Sequence, residues 1–196
     1  MAKGTIYKVT FRRRREGRTD YHLRKKLIAS RKLRLVIRKT AGNVNLQIVE
    51  SKIDGDRVLA HAGTRELAAF GWKAGTGNLP SAYLAGFLLG QRAAGKSLKY
   101  AVLDLNRYRI TKENRLLAAM KGAVDAGLEV PHDKKVLPKA ERVSGAHIAE
   151  YAQQMLKEDQ SKYQAYFSKY IANGIAPEKL VEHFNEVKGT ISKGVK

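Results

Sequence analysis

The alternation of apolar and polar positions places the first regular structure after residue 32. Residues 34–38 (RLVIR) form a short apolar run bounded by charge and predict a strand. Val44, Leu46 and Ile48 alternate with Asn45 and Gln47, the period-two pattern of a strand with one buried face. Asp54-Gly55-Asp56 is a turn signal, and residues 57–61 (RVLAH) can return as a partner strand, completing an antiparallel meander. Thr64 is placed to cap a short helix through Phe70, with Glu66 in its first turn. A Gly-rich loop over residues 71–78 ends at Asn78, a good N-cap, and Pro80 falls in the first turn of the helix that follows. That helix carries Leu79, Tyr83, Leu84, Phe87 and Leu88 on one broad face and is expected to stop at Gly95.

Residues 100–105 (YAVLDL) are an almost continuous apolar run, expected as a strand covered on both faces. A helix over residues 112–125 turns Leu116, Leu117, Met120 and Val124 inward, with Gly127 as its end cap. A brief last strand, residues 128–130, is stopped by Pro131. Strand, helix and strand in this order predict a right-handed parallel crossover. Residues 131–143 read as a polar linker. Helices follow from Ser144 to about Lys157, over residues 161–172, and from Pro177 with Leu180, Val181 and Phe184 on one face. These pieces are short and are expected to pack on a partner or on the sheet. The fold class is therefore α/β, a mixed sheet made of an antiparallel meander followed by a β-α-β crossover. A basic N-terminal arm (residues 1–32) precedes the central domain (33–131), and a linker with a helical C-terminal extension (132–196) follows it.

Charge changes this picture more than any other property. Residues 1–39 hold 15 Lys and Arg against Glu16 and Asp20, so +13 of the net +20 lies at one end of the chain. The run Arg12, Arg13, Arg14, Arg15 continues at Arg18 and resumes at Arg24, Lys25, Lys26 and Arg31, interleaved with Tyr7, Phe11 and Tyr21. Such a strip repels itself unless an anion lies against it, and a phosphate backbone is the natural partner. A solvated basic tail is the plainer reading. Lacking apolar period, the arm is expected to be disordered alone and to fold on binding. With 43% hydrophobic residues the rest of the chain can build a core. The absence of cysteine removes disulfides, thiolate nucleophiles and Cys-based zinc sites. Residues 1–4 begin no apolar signal segment, and the apolar stretch near residues 79–89 is too short and too broken for a membrane span.

Signals for catalysis are poor. Asp104 lies in an apolar strand without a second acid at any readable spacing, as a two-metal nuclease would need, so a hydrogen-bonded strand-end acid is the simpler account. Asp54 and Asp56 flank a turn glycine. His22, His61, His132, His147 and His183 show no ligand spacing. The loop at residues 75–78 precedes a helix N-terminus, where backbone N–H groups can meet phosphate, but it lacks the Gly-Lys-Ser/Thr of a Walker loop. A plain capped turn is the alternative. Trp72 reads as packing, with base stacking the alternative.

Several segments, in order, resemble a known family. RRRREGRTDYHLRKKL (12–27), RLVIRK (34–39), GWKAGTGNLPSAYLAG (71–86) and GAVDAGLEVPH (122–132) are similar to the large-subunit ribosomal protein that binds 5S ribosomal RNA, family eighteen of the universal large-subunit nomenclature. RVSGAHIAEY (142–151) resembles a segment of its archaeal and eukaryotic members. Residues 40–43 (TAGN) depart from the family, many members of which carry a cation and a ring there. The resemblance implies a structural role without catalysis or cofactor. It implies partners in 5S rRNA, large-subunit rRNA and neighbouring proteins of the central protuberance, and a place on the cytoplasmic ribosome away from membranes. Carried over, Arg12, Arg13, Arg14, Arg15, Arg18, Tyr21, Arg24, Lys25, Lys26 and Arg31 are the first RNA-contact candidates. Arg38, Lys39, Lys73, Thr76 and Asn78 are the second. Two rival readings stay open at this point. One is a general nucleic-acid or chromatin protein, although no recognition helix is evident. The other is an RNA-processing enzyme centred on Asp104.

Overall fold

The computed structural model describes residues 4–194. Residues 1–3 of the expected arm, with the start of the chain read for a signal segment, and residues 195 and 196 of the expected extension lie outside that range. Two helices, α1 (Arg12–Arg15) and α2 (Tyr21–Ala29), precede the sheet. The meander is β1 (Arg34–Lys39), β2 (Val44–Lys52) and β3 (Gly55–Gly63), and β4 (Val102–Asp104) joins beside β1 to give the order β3-β2-β1-β4. β1 pairs antiparallel with β2 (Ile37 opposite Leu46) and parallel with β4 (Val36 opposite Asp104). The sheet is thus mixed, as the pattern predicts.

Period two sorts the strands into two faces. Leu35, Ile37, Leu46 and Ile48 are fully buried on one face. That face is covered by α3 (Leu79–Gly95) and α4 (Arg115–Asp125). Each such side chain contributes about 1.5–3 kcal/mol by leaving water. The opposite face, partly covered by the arm, carries Arg34, Val36, Arg38, Asn45 and Gln47.

α3 begins where expected, with Asn78 Oδ1 accepting from Ser81 N–H at 2.9 Å. It is buried almost all round rather than on one face, because the sheet lies on one side and α4 and the last helix, residues 180–194, on the others. The α3–α4 contact is built on small residues. A Cβ on Gly86 would collide with Ala119 O, and one on Gly122 with Tyr83 O, so the two backbones touch directly.

Several expectations are revised. The helix at Thr64–Phe70 is 3-10, and Thr64 is buried inside it, accepting from Val44 N–H at 3.0 Å instead of capping. The strand expected over 100–105 is limited to Val102–Asp104, and residues 128–130 contribute a single parallel bridge, Glu129 to Tyr100. Pro131 ends that segment before a ladder can extend. The linker is not irregular throughout: it holds α5 (Ala140–Ser144), after which Gly145, at φ 87°, turns the chain into α6 (Ala146–Glu158). The helix expected over 161–172 is broken at Phe167 into α7 (Gln160–Tyr166) and α8 (Ser168–Ala172), where the Phe167 ring turns in against Tyr163, 5.4 Å between centroids.

The last helix, α9 (Leu180–Gly194), returns to the main core. Leu180, Phe184, Val187 and Ile191 are buried with α3 and the sheet residues, and the Phe184 ring lies 5.6 Å from that of Tyr83. Ala152, Met155, Tyr163 and Phe167 form a small satellite cluster under α6 and α7.

Candidate nucleic-acid interface

The arm is built around charge. α1 is a single turn of four arginines with no buried residue. Glu16 closes it, pairing with Arg12 at 3.7 Å and Arg18 at 2.9 Å, both exposed and so weakly stabilising. Gly17, at φ 67°, reverses the chain. Asp20 then caps α2, its Oδ1 accepting from His22 N–H (3.0 Å) and Leu23 N–H (3.1 Å). The Leu23 hydrogen bond, ahead of opposing burial and the His22 bond, holds its carboxyl below the usual range. Tyr21 is half-buried against Phe11, 5.4 Å between ring centroids. The arm thus carries two helices, of which α2 has a side-chain cap in Asp20.

Long-range bonds tether it. Asn106, just past β4 in a left-handed conformation (φ 55°), accepts from Asp20 N–H at 3.0 Å and donates through Nδ2 to the Arg18 carbonyl. Its own N–H donates to Asp104 Oδ1 at 3.0 Å. Asp104, 5% exposed, is the anionic centre of the sheet face opposite α3 and α4. Its carboxylate pairs with Arg34 at 2.9 Å and Arg38 at 3.2 Å, and its carbonyl accepts from Arg38 at 2.8 Å. Arg34, 1% exposed, reaches Asp56 at 2.8 Å, and Asp56 also takes Arg24 of α2 on both oxygens at 3.0 Å. Burial raises the Asp56 carboxyl, but the hydrogen bonds and charges of Arg34 and Arg24 outweigh it and hold it low. One network therefore binds α2, β1, β3 and β4.

Two adjoining clefts open where arm meets sheet. One, about 440 Å³, lies between Tyr21, Arg24, Arg38 and Asp104. The other, about 430 Å³, is lined by Arg13, Arg18, Arg38, Arg107 and Tyr108 and has no acid among its walls. Arg13, Arg38 and Asn106 line both. The second is the better match to a phosphate chain.

The candidates from sequence divide accordingly. Arg12, Arg13, Arg14, Arg15, Arg18, Lys25, Lys26, Arg31, Lys39 and Lys73 are exposed. Arg13 Nε is steadied by Thr19 Oγ1 at 2.9 Å, and Lys39 lies over the Tyr108 ring at 5.5 Å. Arg24 and Arg38 are partly covered and hold carboxylates. Thr76 Oγ1 donates to Gly42 O at 2.7 Å, and Asn78 caps α3 and donates to Tyr170 OH at 3.4 Å. The loop at 72–78 faces the C-terminal helices. Trp72 is buried, donates to Gly75 O at 3.2 Å and stacks on His183 at 5.1 Å, while Lys73 N–H donates to His183 Nε2 at 3.3 Å. Burial, with the nearby Lys73 charge, lowers the His183 pKa against the pull of Glu186. The loop candidates Lys73, Thr76 and Asn78 are thus not brought together with the arm.

Sequence reasoning missed Asn106, Arg107 and the pairing of Arg34 with Asp104. The segment 106–109 (NRYR) is basic and aromatic, which is the signal that was present, but it lies far from the arm along the chain. Asp104 is no lone acid: its oxygens are engaged by Arg34, Arg38 and Asn106. Among the described residues, no three His, Asp or Glu side chains converge as metal ligands.

Comparison with known proteins identifies the context. Residues 5–100 match the family described as ribosomal large subunit proteins 60S L5 and 50S L18. The chain is 50% identical to the large ribosomal subunit protein uL18 of Caldivirga maquilingensis over 192 residues, 97% of this chain and 93% of that protein. The chain belongs to the uL18 family of large-subunit ribosomal proteins. A uL18 protein is a structural ribosomal component rather than an enzyme, so the nuclease reading of Asp104 falls, and its place is on the large subunit of the cytoplasmic ribosome. Among the described residues no helix is long and apolar enough to cross a membrane. The family match at residues 5–100 spans the arm, the meander and α3, and so includes most of the two clefts' walls.

Proposed function

We propose that this uL18 protein binds 5S ribosomal RNA and anchors it to the central protuberance of the large subunit, with further contacts to large-subunit rRNA and to neighbouring ribosomal proteins there. The observation that carries this reading is the tether of Asn106 to the arm, which sets the exposed arginines beside an acid-free cleft of further arginines. In this reading Arg12, Arg13, Arg14, Arg15, Arg18, Lys25, Lys26 and Arg31 meet phosphate, with Lys39 and Lys73 at the margins. Tyr21 offers a ring to an unpaired base. Arg24, Arg38, Thr76 and Asn78, whose side chains hold internal partners, set the shape of the surface as much as they contact RNA. Affinity arises largely from counterion release, and preference for 5S RNA from shape.

The test is a salt-titrated competition of the full chain for labelled 5S RNA against transfer RNA and duplex DNA. A variant with Arg12, Arg13, Arg14, Arg15 and Arg18 all changed to Gln is measured in parallel. The wild type should prefer 5S RNA at moderate salt. The variant should lose affinity and about 0.7–0.9 of log–log salt slope per phosphate contact removed. Equal competition by all three nucleic acids would refute the 5S assignment and favour a general nucleic-acid binder.

A further inference from the structure

The charge of this chain stops abruptly. Residues 146–196 hold seven Lys, no Arg and six acids, so +19 of the net +20 lies before them. A segment so nearly neutral gains little from counterion release and is poorly suited to grip phosphate. Within it lies a groove of about 680 Å³, walled by Leu156 at the end of α6, Tyr163 of α7, Ile171 of α8 and Ile175 beyond it. No charged residue lines it; its polar rim is made of Gln160, Gln164 and Ser168. Leu156 and Ile171 are 47% and 45% exposed, although the satellite cluster beside them is closed.

We infer that this groove is a docking surface for an apolar segment of a neighbouring large-subunit protein. Charge complementarity selects that occupant. An RNA strand would meet uncharged, apolar walls and forfeit its hydration without compensating cations. A partner segment with Leu, Ile or Met side chains fits the walls, and the amides and hydroxyl of the rim can satisfy its backbone without buried charge. The break at Phe167 creates the groove. A continuous helix over 160–172 would keep one direction throughout, whereas the bend sets Ile171 and Ile175 facing Leu156 across a concavity. This inference rests on membership of the uL18 family, and through it on a seat in the large subunit.

The experiment places a photoreactive benzoyl-phenylalanine at Ile171 of the full chain, in large subunits purified after assembly in cells. Irradiation should yield one protein adduct, identified by peptide mass spectrometry. The same probe at Leu156 should yield the same partner. In parallel, Ile171→Glu should lower the chain's occupancy on purified subunits more than ~10-fold in competition with wild type, since a carboxylate would be buried in an apolar contact. Its affinity for isolated 5S RNA should be unchanged. Adducts to rRNA alone, adducts to a second copy, or no adduct at either position would overturn the inference. Failure of the 5S reading would appear separately, as loss of 5S preference in wild type and variant alike. Should Ile171→Glu unfold α8, visible as lost circular dichroism, the two cross-linking positions still decide the matter.

Discussion

Asp104→Asn is the most informative perturbation of this fold. The change is nearly isosteric, so no cavity is made and the charge alone is removed. Arg34 is 1% exposed and holds Asp104 at 2.9 Å and Asp56 at 2.8 Å. Without the Asp104 charge, its guanidinium keeps Asp56 and the Ser51 hydroxyl at 3.2 Å. Arg38 loses its carboxylate partner but keeps the Asp104 carbonyl and is partly exposed, so its loss is smaller. Breaking a buried pair costs about 3–5 kcal/mol, and the surviving Asp56 partner puts this case near 3 kcal/mol. At a urea slope of about 2 kcal/mol/M, the midpoint should fall by about 1.5 M. A chain of this length should lose roughly 6–12 °C of melting temperature. The assay is equilibrium urea unfolding followed by circular dichroism. Replacing Arg34 and Asp104 together by Leu should recover much of the loss, because the desolvation cost disappears with the pair. A midpoint shift below about 0.5 M for Asp104→Asn, near 1 kcal/mol at that slope, would show the network to be screened by solvent and would refute the reasoning.

Three further outcomes are expected. Asn106→Gly keeps the left-handed backbone at φ 55° but deletes both bonds to the arm, about 1–2 kcal/mol of local stability; trypsin should cut near Arg18 and Arg24 about 5–30-fold faster, with the global melting temperature little changed. Gly122→Ala forces α4 away from Tyr83 O and should destabilise the chain by about 3 kcal/mol or more, measured by thermal unfolding. Because the folded-state pKa of His183 is lowered, the unfolded chain binds its proton first; the stability this histidine contributes is present above about pH 6.5 and is lost as pH falls through the folded value. The opening free energy of α8 and α9, taken from hydrogen exchange after division by the intrinsic pH-dependent rate, should therefore fall on acidification from pH 7.5 to 5.5, and His183→Gln should remove that dependence.

Much of this architecture was legible in the residues because the governing forces are local. Val44, Leu46 and Ile48 alternate with Asn45 and Gln47, and that alternation fixes which face of β2 is buried. Asn78 caps α3 because its side chain reaches a donor three residues ahead. The concentration of arginine at one end is a property of the sequence. The runs at residues 75–86 and 142–151 pointed to the right family because they are specific.

What the sequence could not determine depends on partners distant along the chain. Asp104 looked like an acid stranded in an apolar strand because Arg34 and Arg38, which neutralise it, lie 70 and 66 residues away. Asn106 has no signature as a tether until β4 is set beside β1 and the arm folds over that sheet face. The helix expected over 161–172 breaks because burying the Phe167 ring outweighs the local preference for one continuous helix. α9 reads as an amphipathic helix of a loose extension, yet it completes the main core, since its apolar stripe is complementary to a face of α3 that no local rule exposes. Charge and periodicity are written residue by residue. Which charge meets which, and which surfaces stay open, is decided when the sheet brings distant residues within bonding distance.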